Sequence, residues 1–275
     1  MATSCSSSVY GPVHSWRLGN SLGIDLLCVD SICSFDCVYC QLGRIRRLTE
    51  DRGLFVTTDK LIEDIRAAKW READVVTFSG SGEPTLALNL GEAISEVKRI
   101  TGKEIVVLTN SSLLNDPGVR GDLSGADRIF CKLDAWNSDL LRRINRPIAN
   151  LTVERLAEGI GKLRAEFRGF MALQTMILST PSMTGINRFA RLIAAIRPDE
   201  IQLNVPSRPV PAGWRPEHRG NATSIDAGTR SLVTLTAASL RSLAETLEKL
   251  TDVRVVYPPS NRMGRPGQVL GLGLT

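Results

Sequence analysis

Three cysteines fall within eight residues, as Cys33-Ser-Phe-Asp-Cys37-Val-Tyr-Cys40. Thiols clustered this way, in a chain with no sign of secretion, read as metal or redox chemistry rather than as a disulfide framework. A structural zinc site takes four ligands, usually as two pairs. Here the spacing is three residues and then two, and no fourth ligand is well placed. Cys28 lies five residues upstream on an expected strand, and His14 and Cys5 lie farther back. A cubane [4Fe–4S] cluster is normally held by four cysteines. Held by three, it keeps one iron without a protein ligand, and an open position is where a metal does chemistry. A zinc site, or an electron-transfer cluster completed by Cys28 or His14, is the competing reading.

The rest of the chain bounds the class. Its 275 residues suit one large domain with short additions. It is 43% hydrophobic and 23% charged, which excludes wholesale disorder, a coiled coil and a collagen-like fibre. No stretch approaches the ~18 consecutive apolar residues of a membrane span. The Ser-rich start, Met1 to Ser8, lacks the basic and apolar regions of a secretory signal. A cytoplasmic protein without a membrane partner is therefore expected. Lys and Arg number 34 against 29 Asp and Glu, a net charge of +5 that permits an anionic substrate or nucleic acid without requiring one. Arginine far outnumbers lysine. Its planar fork suits phosphate and carboxylate recognition, although genomic composition bias is the plainer reading.

With Tyr39 just before the last thiol, Cys33-x3-Cys37-x2-Cys40 resembles the cluster motif of the radical S-adenosylmethionine (radical SAM) superfamily. Upstream, Tyr10-Gly-Pro-Val-His-Ser-Trp-Arg-Leu-Gly-Asn-Ser-Leu-Gly-Ile-Asp25, and downstream, Gln41-Leu-Gly43, resemble a branch of iron–sulfur oxidoreductases related to the wyosine-forming tRNA enzymes. Phe78-Ser-Gly80-Ser-Gly82-Glu83-Pro84-Thr85 resembles the superfamily's Gly-Gly-Glu element, with Ser81 in place of the first glycine of the pair. The resemblance covers most of the chain to about residue 210. It implies a [4Fe–4S] cluster on Cys33, Cys37 and Cys40, whose open iron chelates the amine and carboxylate of S-adenosylmethionine. It also implies reductive cleavage of that cofactor to a 5′-deoxyadenosyl radical, which takes hydrogen from an unidentified substrate. An electron donor such as flavodoxin or ferredoxin is the implied partner. The turn Gly80-Ser81-Gly82-Glu83 is expected to offer free carbonyls to the cofactor's ammonium, since glycines let backbone approach closely. Asn110 and Ser111 are the candidates for its ribose and carboxylate, or form a helix cap or Asx turn. Tyr39 either meets the adenine or simply packs.

These residues need a scaffold. The superfamily implies a partial six-stranded (β/α) barrel, and apolar runs alternating with amphipathic patterns independently read as an α/β chain with a parallel sheet. Strands are expected near 23–28, 74–79, 104–109, 128–133, 170–178 and 200–205. Helices are expected near 59–69, 89–100, 152–167 and 186–196, the first capped by Asp59 and the last ended by Pro198. The division is an N-terminal segment, 1–22, a core, 23–206, and a C-terminal extension, 207–275. The extension holds a long irregular connection, a helix near 235–250 expected to close the open side of the barrel, and a short strand, Val253 to Tyr257.

Buried parallel strands should be apolar on both faces, yet Lys132, Gln174, Gln202 and Asn204 interrupt them, with Asp134 following Lys132 at period two. A wet interior holding cofactor and substrate accounts for this, and these five residues are the substrate candidates. Lys132 with Asp134 would otherwise form an internal ion pair. His14, Trp16 and Arg17 either plug the barrel or serve the site. Arg44, Arg46 and Arg47 suit an acidic electron donor or anionic substrate, or are a solvated charge run. The substrate is left open among a small molecule, a protein and tRNA. A zinc- or cluster-bearing RNA-binding protein without radical catalysis is the alternative function. Basic charge supports it, and the lack of a stacking-aromatic motif opposes it.

Overall fold

Strand-forming and helix-forming segments alternate along the chain and build one curled sheet with its helices on the convex side. The computed structural model describes residues 7–28, 30–215, 219 and 228–260. Cys5, His218 and the tail beyond 260 lie outside the described residues. The strands are β1 (Val9–Ser15), β2 (Gly19–Ile24), β3 (Ile32–Cys33), β4 (Arg47–Leu48), β5 (Val75–Phe78), β6 (Glu104–Thr109), β7 (Arg128–Lys132), β8 (Phe170–Met176), β9 (Glu200–Asn204), β10 (Val210–Pro211), β11 (Thr229–Arg230) and β12 (Val255–Val256). The helices are α1 (Thr58–Ala67), α2 (Leu90–Thr101), α3 (Pro117–Leu123), α4 (Ser138–Ile144), α5 (Val153–Glu166), α6 (Met183–Ile196) and α7 (Ala237–Thr251).

The main sheet runs β1-β2-β5-β6-β7-β8-β9-β12. The six strands from β2 to β9 in that order are parallel and form the partial barrel. The sheet has eight strands rather than six, because β1 adds antiparallel at one edge and β12 parallel at the other. Gly11 and Pro12 hid β1 from a strand reading; both are tolerated on an edge with a register shift between Tyr10 and Val13. The first barrel strand ends at Ile24, not at residue 28. Asp25 Oδ1 accepts from the Leu27 N–H at 3.0 Å, an Asx turn that lifts Cys28 off the strand.

Helix starts follow local capping chemistry. Thr57, not Asp59, caps α1 by accepting from the Lys60 N–H, and Asp59 sits in the first turn, where its charge suits the helix N-terminus. Thr152, Ser182 and Thr236 cap α5, α6 and α7 in the same way. Because Ser182 sets its start, α6 begins at Met183, three residues before the expected position. Buried Leu240, Leu243 and Leu247 place α7 in the convex core with residues of α6 and β12. It forms the crossover between β9 and β12 and does not close the open side of the barrel.

The concave face has two halves. Leu18, from the turn between β1 and β2, packs with Val75, Val106, Phe130 and Ala172 as a dry lower layer. Farther along the same strand faces, toward their C-terminal ends, come Thr77, Lys132, Gln174, Gln202 and Asn204. The expected wet interior is therefore confined to the upper half.

Candidate active site at the C-terminal ends of the strands

Cys33, Cys37 and Cys40 are half-buried, free thiols on the loop after β2. Two flanks hold this loop. On one side Ile32 N–H donates to Ser81 O at 3.1 Å, and Glu83 N–H donates to Ile32 O at 3.1 Å. On the other, Val38 N–H donates to Ile144 O at 2.9 Å and Ile148 N–H to Ser34 O at 2.9 Å. Two amides also reach the sulfurs: Asn110 Nδ2 lies 3.4 Å from Cys33 Sγ, and Asn145 Nδ2 lies 3.4 Å from Cys37 Sγ.

Burial pushes the Cys33 thiol well up, raises Cys40, and takes Cys37 to about 12. Thiols this reluctant to ionise require a strong cation to hold them as thiolates. N–H donors aimed at sulfur favour the charged form and tune a bound cluster. Among the described residues, no three His, Cys, Asp or Glu side chains converge on a point that would hold a single metal ion. A multi-iron cluster needs no such point, because each thiolate meets a different iron. The donor set thus fits an iron–sulfur cluster on three cysteines. Cys28 is disulfide-bonded, so its sulfur is committed elsewhere.

Beside this loop the turn after β5 presents Gly80, Ser81, Gly82 and Glu83. Its two glycines are explained by the chain's own approach, in contrast to the expectation that cofactor contact demands them. A Cβ at Gly82 would overlap the Ile32 carbonyl oxygen, and one at Gly80, whose φ is +140°, would overlap the Asp25 side chain. The carbonyls also differ from expectation: Ser81 O is taken by Ile32, whereas Gly80 O and Gly82 O accept no hydrogen bond among the described residues. Ser81 donates through N–H and Oγ to Asp25 Oδ2 at 3.1 and 2.6 Å. Asp25, buried and also paired with Arg219 at 2.9 Å, went unnoticed as a site support because a strand-end aspartate gives no local signal.

Glu83 is buried and saturated. Oε1 accepts from the Thr85 N–H, the Thr85 hydroxyl and the Thr109 hydroxyl, and Oε2 accepts from the Asn110 N–H at 2.6 Å. Burial raises its pKa and these bonds oppose the rise. It ties the end of β5 to the end of β6. Asn110 is an Asx turn after all, with Oδ1 accepting from the Ser112 N–H at 3.0 Å while Nδ2 donates to Ser34 Oγ at 2.8 Å. Ser111 is the outlier. Its φ is +72°, costly for a residue with a Cβ, and among the described residues its buried Oγ has no hydrogen bond of ordinary geometry, with only the weak Cys131 thiol sensing it.

A second network backs the thiol loop. Tyr39 donates to Asp134 Oδ2, which also accepts from Asn145 Nδ2 at 2.6 Å, and Asp134 Oδ1 accepts from the Met176 N–H at 2.7 Å. Lys132 Nζ lies 3.6 Å from Asp134 and 5.0 Å from the Tyr39 ring centroid. The internal ion pair is therefore what the structure contains. Asp134, fully enclosed, supports the loop rather than facing the open interior, and Lys132 covers one face of the Tyr39 ring. Asn145 was missed: at the C-cap of a short helix, it reads from sequence as a helix end. Gln174 and Gln202 pair across β8 and β9 at 3.4 Å, and Asn204 Oδ1 accepts from Arg17 at 2.7 Å.

A thiol loop docked on a Gly-Glu turn at the mouth of a parallel half-barrel defines a class. The radical SAM superfamily model matches residues 29–193, and the chain belongs to that superfamily. Within it, the chain is 46% identical over 245 residues to the UPF0026 protein slr1464 of Synechocystis, covering 89% of this chain and 92% of that one. It is 35% identical over 206 residues to the UPF0026 protein MJ1312 of Methanocaldococcus jannaschii, covering 73% and 64%. The resemblance to wyosine-forming enzymes draws only loose support from these matches. The structure of Streptococcus suis SuiB bound to S-adenosylmethionine aligns with a TM-score of 0.58 at 15% identity, over 84% of this chain and 49% of that one. At that identity the likeness speaks for the fold.

The protein is therefore an enzyme whose cofactors are a [4Fe–4S] cluster and S-adenosylmethionine, and it needs an electron donor. That replaces the alternative of a non-catalytic RNA-binding module. No helix among the described residues is long and apolar enough to cross a membrane.

Proposed function

We propose that Cys33, Cys37 and Cys40 hold three irons of the cluster and that the protein reductively cleaves S-adenosylmethionine beside it. When bound, the reduced cluster and S-adenosylmethionine supply a 5′-deoxyadenosyl radical able to abstract hydrogen from a substrate. The observation that carries this reading is the direct backbone pairing of the thiol loop with the 80–83 turn. It fixes the metal-binding and cofactor-binding segments against one another, and orientation is the protein's main contribution to such chemistry.

The residues divide the work. The Gly80 and Gly82 carbonyls face the cofactor's ammonium, which needs acceptors because an unpaired buried charge is very costly. Ser81 and Glu83 hold that turn in place through Asp25 and β6. Asn110 positions the Cys33 sulfur, and Ser111 Oγ, which has only the weak Cys131 thiol beside it, takes a ribose or carboxylate oxygen. The Tyr39 backbone serves the adenine, its ring being covered by Lys132. Substrate enters the polar upper half of the concave face, beside Lys132, Gln174, Gln202 and Asn204. Arg44 and Arg46 on one flank of the thiol loop, and Arg142 and Arg146 on the other, are largely exposed. Each is paired with an aspartate, Asp36 serving both Arg44 and Arg146, with Asp30 on Arg46 and Asp139 on Arg142, so the rim keeps a small positive excess toward a donor such as flavodoxin or ferredoxin.

The test is anaerobic. Reconstituted protein given dithionite and S-adenosylmethionine should release 5′-deoxyadenosine. Tightly bound zinc without iron, or a full cluster with no cleavage, would overturn the reading. Ser111→Gly gives a narrower check. Removing the Cβ at positive φ should leave apo stability unchanged or raise it by up to about 1 kcal/mol. Affinity for S-adenosylmethionine should fall several-fold. Thermal melting and cofactor titration read the two effects separately.

A further inference from the structure

Asn145 ends α4, its own N–H donating to Leu141 O at 2.8 Å, and its side chain is fully enclosed. The thiol loop is tied to this corner on both sides of Cys37. Asp36 N–H donates to Asn145 O at 3.0 Å, and Val38 N–H donates to Ile144 O at 2.9 Å. Backbone bonds on either side thus hold Cys37 against the Asn145 amide. Its Nδ2 lies 3.4 Å from Cys37 Sγ, 3.1 Å from the Tyr39 hydroxyl oxygen and 2.6 Å from Asp134 Oδ2.

Charge locks the amide in this orientation. Asp134 is itself fixed, with Oδ1 accepting from the Met176 N–H, Oδ2 accepting from the Tyr39 hydroxyl, and Lys132 Nζ 3.6 Å away. An ionised carboxylate only accepts, so the amide turns Nδ2 toward it, and the same NH2 group then faces the sulfur. Turned over, the amide would set Oδ1 against two electron-rich partners at once. The locked orientation leaves Oδ1 buried with no hydrogen bond among the described residues. Such a group costs stability, and a redox role is one reason to keep it. Asn110 differs. It also reaches a sulfur, that of Cys33, but its Oδ1 accepts from the Ser112 N–H and its Nδ2 donates to Ser34 Oγ, so the turn alone accounts for it.

We infer that Asn145 is a positioning residue that aims an N–H at the Cys37 sulfur, under the hold of Asp134, and thereby raises the reduction potential of the cluster. Reduction adds one negative charge to the iron–sulfur core and its thiolates. An N–H donor stabilises that charge more than it stabilises the oxidised form. The incoming electron is the one the donor protein supplies. The inference rests on the reading that Cys33, Cys37 and Cys40 hold the cluster, and it assigns control of the potential to a residue far outside the cysteine motif.

Potentiometric titration of the anaerobic, reconstituted protein, followed by electron paramagnetic resonance of the reduced cluster, tests it. Asn145→Leu keeps the shape of the side chain and removes the donor. Its potential should fall by at least about 59 mV, a tenfold change in the one-electron reduction equilibrium. Asn145→Gln, which keeps an amide, should recover part of that shift. Asn89→Leu is the control. The buried Oδ1 of Asn89 is also unpaired among the described residues, but its Nδ2 donates to Val56 O and the Thr58 hydroxyl rather than to sulfur. That variant should keep the wild-type potential. An asparagine that merely braced the loop would change the melting temperature or the iron content and leave the potential of the assembled cluster alone. Should Asn145→Leu take up no iron, Asn145→Ser decides the matter by the same titration. Its hydroxyl is too short to reach the sulfur, and the same fall is expected. The inference is overturned if iron-replete variants keep the wild-type potential or move it upward. A cluster whose potential depends on Asn145, in protein that never cleaves S-adenosylmethionine, would instead sink the proposed function and leave the role of Asn145 standing.

Discussion

Cys37→Ala protein, reconstituted without oxygen, should lose the brown chromophore's full iron content and release no 5′-deoxyadenosine above background. Structural zinc sites with four protein ligands bind with apparent free energies of about 10–16 kcal/mol, and on that scale one thiolate contributes roughly 3 kcal/mol, a factor of ~10² in affinity. Cys37, like Cys33, has an amide donor on its sulfur, and Asn145 links it to Tyr39 and Asp134. Cys131→Ala is the matched control. Cys131 is also a free thiol, but it is buried in β7 among the convex core residues. Its loss should cost about 1–2 kcal/mol of stability as a small cavity and leave iron content untouched. Iron and sulfide analysis of the two variants, with a urea titration of each, separates thiol position from thiol number. Equal iron in Cys37→Ala and wild type would remove the three-cysteine assignment.

The thiol motif was legible because its function is local: three sulfurs on one loop must be spaced along that loop. The (β/α) alternation was legible for a related reason, since each strand and helix declares its own period. What stayed hidden was partnership at long range. Nothing near Asn145 says that its amide will meet Cys37, which lies 108 residues away in sequence. Arg17 and Asn204, 187 residues apart, give no mutual sign either. Lys132 and Asp134 were visible as polar intruders. Sequence spacing could not tell an ion pair backing the loop from two groups facing substrate, because both place the residues on one side of the strand end. The short helices α3 and α4 offer only two turns each, too little for a period to register.

The glycines of the 80–83 turn show the same limit and yield the sharpest structural prediction. A turn glycine signals that something comes close, without saying what. At Gly82 the visitor is the thiol loop itself, whose Ile32 carbonyl oxygen occupies the place of a Cβ. Backbone there cannot swing aside as a side-chain end does, so Gly82→Ala must part the loop from the turn. Two hydrogen bonds go with that separation, Ile32 N–H to Ser81 O and Glu83 N–H to Ile32 O. Leaving such buried groups unpaired costs about 1–3 kcal/mol each, and steric crowding adds to it, giving roughly 3–6 kcal/mol in all. Gly102→Ala makes the same chemical change at the C-cap of α2. There φ is +61° and nothing lies within 4 Å of the new methyl group, so only the left-handed backbone conformation is penalised, by about 1 kcal/mol. Urea unfolding should rank the two variants far apart. Where Gly82→Ala still folds, it should take up iron yet bind S-adenosylmethionine at least tenfold more weakly, because Cys33 adjoins Ile32 and moves with it. A Gly82→Ala protein as stable and as competent for the cofactor as Gly102→Ala would mean that the loop and the turn are not a single rigid unit.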